Sequence, residues 1–278
     1  MSGMAILLAL MSSVMWGTSD FFGGLRSRKR PAVAVVAGSM LAGLITAAVA
    51  VAIAGAYDDP TGWVWWSVLS GLAGASGLVA FYAALASGTM GVVSPIAALG
   101  VAVPVIAGFI GGETLSTLQA IGLVTALVGA VATSGPELSG GASGRSVALA
   151  AFAGVCFGTV FLAVDRGAKS SALMTLVGMR TTSLVIFGIL AIALRSIGGL
   201  DRTDLLPLFV IGFFDVAANL MYALASNRGY VSIVSVLASL YPVMTVLLAR
   251  AILHERLRSI QLVGVVVTLT GVALISAG

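Results

Sequence analysis

The sequence predicts an all-α integral membrane protein of ten transmembrane helices, arranged as two inverted five-helix repeats. Three observations carry that prediction. The chain is too apolar to be soluble, its apolar residues fall into ten runs of membrane-spanning length, and landmarks of its first half recur at a near-constant offset in its second.

Only 9% of the 278 residues are charged and 59% are hydrophobic, with a mean hydropathy of +1.13. A soluble domain carries about 25% charged residues, so this chain could not cover its own surface with polar groups. The apolar character runs from end to end, which excludes a soluble domain with one anchor and predicts a multi-pass protein of the cell membrane. Residues 4–22 lack a basic leader and a small-residue cleavage site, so they are expected to be a retained helix. The single cysteine, Cys156, excludes an internal disulfide, and no Cys/His cluster suggests a metal or cofactor. Arg26, Arg28, Lys29 and Arg30 form one short loop rather than a basic face, so no nucleic acid is expected as a partner. The expected partners are the bilayer and a small-molecule substrate.

A helix crosses the hydrocarbon in about 20 residues. Cutting the chain at its charged, proline-containing and Gly/Ser breaks gives segments 4–23, 32–55, 63–86, 91–111, 117–135, 146–164, 172–194, 205–226, 230–251 and 260–276. The runs are continuously apolar rather than alternating, which predicts helices and not a barrel. Trp63, Trp65 and Trp66 follow the polar stretch Tyr57-Asp58-Asp59-Pro60 and fit an aromatic belt at the start of the third span. Many of the 35 glycines lie inside spans, Gly71, Gly74 and Gly77 among them. Small residues there let helix backbones approach closely.

Trp16-Gly17-Thr18 corresponds to Phe157-Gly158-Thr159, an offset of 158 − 17 = 141, and Gly88 corresponds to Gly229 at the same offset. Glu113 in GGETLSTLQAIG corresponds to Glu255 in LHERLRSIQLVG after one indel, with Gln119 and Gln261 each six residues on. The repeats are residues 4–135 and 146–277, joined by PELSGGASGR. Five spans per repeat is an odd number, so the second half is expected to sit upside down relative to the first. Inverted repeats are a usual scaffold for alternating access, with the substrate site near the midplane.

Three stretches, WGTSDFFGG, ASGTMGVVSPIAALG and LASLYPVMTVLLARAILHERL, resemble the EamA family of the drug/metabolite transporter superfamily. The resemblance covers essentially the whole chain as two EamA repeats. It implies ten helices and the export or uptake of small metabolites, commonly amino acids or related compounds, without ATP; no G-x-x-x-x-G-K-[ST] loop occurs. One departure is visible: the position of Pro242 holds Gly100 or Val101 in the first repeat, flanked by Pro95 and Pro104.

Loops after odd-numbered spans hold ten basic residues against three after even-numbered spans. The positive-inside rule then puts both termini outside, whereas the family resemblance implies cytoplasmic termini.

Ionisable side chains deep inside spans mark a pathway or site by default. Arg180 lies about eight residues into the seventh span and Asp215 about eleven into the eighth, so they fall at matching depth on sequential antiparallel helices. The pair is either a neutralising salt bridge or a site. In the second case Arg180 offers a bidentate fork to a substrate carboxylate or phosphate, and Asp215 positions it, binds an amine or carries a proton. Asn219 and Tyr222 follow at four and seven residues on the same helical face. Trp16, Ser239 and Tyr241 complete the substrate-binding candidates, with Ser94 and Ser235 as weaker ones. Asp20, Asp215, Pro95 and Pro242 are the coupling and gate candidates. Asp20 is expected near the odd-loop face, close to interfacial water or the basic loop; its counterpart in the second repeat is Phe161, so the scaffold itself does not require an acid there.

Other polar residues read as structural. Glu113 and Glu255 are expected to cap the helices that follow them, Asp165 and Arg166 to form a surface pair, and His254, Glu255 and Arg256 an interfacial loop. The leading functional expectation is a gradient-coupled transporter of a small polar metabolite, able to work as a monomer. The alternatives are multidrug or quaternary-cation efflux and lipid-head-group flipping. No nucleophile–base constellation points to an enzyme.

Overall fold

The computed structural model describes residues 2–27, 29–87, 96–133, 144–195, 198–253 and 259–278. Among them there are only helices, turns and loops. The helices are α1 (Gly3–Ser27), α2 (Ala32–Ala54), α3 (Val64–Ser87), α4 (Ala102–Ile110), α5 (Thr117–Thr133), α6 and α7 (144–170 and 172–194), α8 (Leu205–Ser226), α9 (Val231–Ala238), α10 (Tyr241–Leu253) and α11 (Ser259–Ala277). Seven helical stretches of the described residues are long and apolar enough to cross a membrane, and two shorter apolar helices, Ile96–Ile110 and Thr117–Thr133, accompany them.

Three spans differ from the sequence expectation. Helix α6 continues past residue 164 to residue 170, where the extended backbone of Ser171 (φ −158°, ψ 115°) ends it. The Ser171 hydroxyl accepts the Met174 amide at 3.2 Å and caps α7. The fourth span narrows to a 3₁₀ turn at Leu99–Val101 before α4. The ninth divides into α9 and α10 at Ser239 and Leu240. Pro242 is the reason for the last break, since it has no N–H to continue the helix from α9 and is tolerated in the first turn of α10.

The packing maps onto itself when the repeats are exchanged. Helix α1 packs on α8 and, equivalently, α6 on α3; α4 packs on α9 and α5 on α11. Helices α1 and α8 run antiparallel in close register. The Ser12 hydroxyl donates to Ala218 O at 2.8 Å and that of Ser19 to Ile211 O at 3.0 Å. At the end of this pair Arg26 and Arg30 bind Asp204, and Arg30 also binds Asp201. Arg26 and Arg30 of the basic loop are therefore held by the start of α8 rather than by Asp20.

Close approach requires glycine where the first repeat's 3₁₀ turn crosses α6. A Cβ on Gly100 would overlap the backbone of Gly154, and one on Gly158 would overlap the Gly100 carbonyl. Only a residue without a side chain lets the 3₁₀ turn cross α6 at this distance.

Two structural expectations are corrected. Glu113 does not cap α5: Ser116 and Gln119 do so reciprocally, at 3.0 and 3.1 Å. The Glu113 carboxylate instead accepts the amides of Val231 and Ser232 and the Ser232 hydroxyl, capping α9 of the other repeat. Asp165 is buried rather than at the surface, with Arg166 at 3.7 Å and Lys169 at 3.6 Å. Ser94, Pro95, His254, Glu255 and Arg256 lie outside the described residues.

Candidate functional site

Helices of both repeats enclose a cavity of about 130 Å³. That is the volume of about four waters at their liquid share of about 30 Å³ each. Trp16, Asp20, Arg180, Asp215, Asn219, Ser239 and Tyr241, seven of the residues singled out from the sequence, come together in its lining.

The centre of the polar arrangement is Asp215. One carboxylate oxygen accepts a charge-assisted bond from Arg180 Nη2, and the other accepts the Trp16 indole N–H at 3.2 Å. The Asn219 amide donates to the Asp215 backbone carbonyl at 2.8 Å and to its carboxylate at 3.4 Å. Each partner is where helical geometry puts it. Asn219 is one turn along α8, and Trp16 faces Asp215 across the α1–α8 contact.

The ion pair is asymmetric. The Arg180 side chain is 1% exposed, whereas that of Asp215 is 24% exposed. Arg180 lies behind Asp215, with Nη1 on the Met40 sulfur at 2.8 Å and Nε close to α2 at Gly43. The cavity therefore meets the carboxylate more than the guanidinium. Two buried polar atoms here have no hydrogen-bond partner among the described residues: Arg180 Nε and Asn219 Oδ1.

Asp20 is half-buried in the same lining, one turn beyond Trp16, with no ion pair or hydrogen bond to a described residue. Helix α1 is continuous from Trp16 through Asp20 to Ser27. Tyr222 is not brought to the cavity. It is fully buried, its hydroxyl donating to Phe161 O and sharing a bond with Ser235, both at 2.9 Å. Pro242 is buried at the start of α10. Thr181, Thr182 and Ser183 return their hydroxyls to their own helix.

Sequence reasoning did not single out the apolar lining, Gly74, Leu78, Ala98, Phe157 and Phe161. The repeat offset finds all five: 157 − 16, 161 − 20, 215 − 74, 219 − 78 and 239 − 98 each equal 141. Equivalent positions of the two repeats thus line one cavity, and in each pair one member is apolar where the other carries a polar atom.

No curated protein matches the chain. A solved structure, described only as the crystal structure of a protein, superposes with a TM-score of 0.82 at 18% identity, covering 98% of this chain and 96% of that one. At that identity the likeness is one of fold. The sequence pattern of the EamA-like transporter family matches residues 3–135 and again 144–277. This multi-pass membrane protein belongs to the EamA-like transporter family.

Proposed function

We propose that this protein is a secondary transporter that carries a small polar metabolite, an amino acid or related compound, across the membrane by alternating access. In this reading ten spans form two inverted five-helix repeats, residues 4–135 and 146–277, and transport is export coupled to a proton or substrate gradient. The observation that carries the reading is the cavity itself: equivalent residues of both repeats line it, and the Arg180–Asp215 pair sits in its wall. A site shared by two repeats changes the face it opens to when one repeat rocks against the other. The breaks at Leu99–Val101 and at Ser239 and Leu240 occupy equivalent positions and support a hinge in each repeat. The excess of basic residues in odd loops supports termini on the outer face.

Purified protein in liposomes loaded with an amino-acid and amine library should exchange at least one compound with the outside. Absence of counterflow for every compound sinks the reading. Asp215→Asn should abolish pH-driven accumulation while counterflow remains measurable, and unaltered pH-driven uptake would remove Asp215 from coupling.

A further inference from the structure

Resting on the transport reading, the charge arrangement of the cavity narrows the substrate class. Its lining holds one cation, Arg180, and two carboxylates, Asp20 and Asp215, a balance of +1 − 2 = −1. The single positive charge is neutralised by direct contact with Asp215 and is shielded behind it. Asp20 has no partner of opposite charge among the described residues. A negatively charged substrate would meet two carboxylates in this lining and a guanidinium already engaged by one of them.

A second, independent feature points the same way. Asn219 is 2% exposed and lines the cavity, and its amide nitrogen is held by two oxygens of Asp215. That fixes the orientation of the amide and leaves Oδ1 as a buried acceptor without a donor. Such an atom is satisfied by a ligand that donates hydrogen bonds. Apart from Ser239 the rest of the lining is aromatic or apolar, including Trp16, Tyr241, Phe157 and Phe161. Aromatic faces attract a cation and bury an apolar body equally well.

We infer that the substrate carries a protonated nitrogen on an apolar body: the ammonium group pairs with Asp20 and donates to Asn219 Oδ1, and the body packs on Phe157, Phe161 and Leu78. A substrate carboxylate is not needed for recognition. Asp20 is then the residue that sets specificity for amines, while Arg180 positions Asp215.

Three probes that share a phenyl body and differ in head group test this by calorimetric titration of the purified full-length protein: phenethylamine, L-phenylalanine and 3-phenylpropionate. The amine is expected to bind at least about tenfold more tightly than the propionate. Asp20→Asn should weaken the amine about tenfold and Asp20→Glu should restore most of that loss. The wild-type ranking alone decides if the variants do not fold. Equal or tighter binding of the propionate, failure of both nitrogen-bearing probes to bind, or an amine affinity unchanged in Asp20→Asn overturns the inference. Flux of the same probes in proteoliposomes separates it from the parent reading. Movement of the propionate but not the amine defeats only the amine assignment. An amine that binds but is not moved defeats the transport reading and makes the amine a ligand rather than a substrate.

Discussion

Two walls of the cavity face each other, and the repeat makes them equivalent. The α1–α8 wall presents Trp16, Asp20, Asp215 and Asn219; the α3–α6 wall presents Phe157, Phe161, Gly74 and Leu78 at the same positions of the other repeat. The backbone contacts are alike, since α1 packs on α8 as α6 packs on α3. The chemistry is not. What the repeat preserves is geometry: close helix contacts, the break in the fourth and ninth spans, and a cavity between them. What differs is which wall carries ionisable groups, so one wall is suited to a charged head and the other to an apolar body. A scaffold of two repeats thus encloses a site whose two walls differ in chemistry.

The largest effect is expected from making the walls alike at their most polar pair. Asp215→Gly copies Gly74 and leaves Arg180 buried without its counter-ion, which should lower stability by about 3 kcal/mol or more and abolish transport. Thermal unfolding reads the first and counterflow the second. Adding Arg180→Met should recover most of the stability and none of the transport, because a buried pair removed whole costs far less than one broken. If the single variant keeps its unfolding temperature, the pair is not the anchor of the polar wall.

Exchanging the next pair separates folding from function. Leu78→Asn places an amide without partners on the apolar wall and should cost about 1–2 kcal/mol. Asn219→Leu loses the amide's two bonds to Asp215 but also removes a buried acceptor that has no donor; the two partly cancel, so its cost should stay within about 1 kcal/mol while transport falls. Equal losses of stability in both would erase the distinction between the walls.

Away from the cavity, Glu113→Gln keeps the size of the α9 cap and removes its charge, with an expected loss of about 1 kcal/mol. The smallest effect belongs to the contact closing the α1–α8 pair. Hydrogen bonds from the Thr203 hydroxyl and amide, together with Arg30, hold the exposed Asp201 carboxyl below its usual range. Its contribution is therefore present at neutral pH and is lost as pH falls below about 4, through the depressed value. Asp201→Asn should therefore lower stability slightly at neutral pH, leave it unchanged well below pH 4, and so flatten the acid limb of a stability-against-pH curve.

The pairing of Arg180 with Asp215 was legible because depth in a span follows from residue count, and both lie at matching depth on neighbouring helices. Asn219 followed from the helical period. Tyr222 shares that face but lies a turn deeper, where Phe161 and Ser235 engage its hydroxyl; periodicity gives direction and not depth of packing. Asp20 was placed near the odd-loop face by its distance from Arg26; that α1 turns it into the same lining as Asp215 is a matter of packing between helices, which residue count along one helix does not give. The apolar wall was invisible to any search for polar residues, and only the offset between repeats points to it. Glu113 was misassigned because capping rules are local, whereas its partners stand 118 residues away.

That separation has a consequence for how the molecule is built. Ribosomes add about 5–20 residues per second, so Glu113 is made roughly 6 to 24 s before the amides of Val231 and Ser232 exist for it to hold. For that interval the first repeat carries an acceptor with nothing to accept from, and the helix that needs it arrives last but two. The first half of the chain is in this sense a mould, incomplete alone, and translation order decides which half waits for the other.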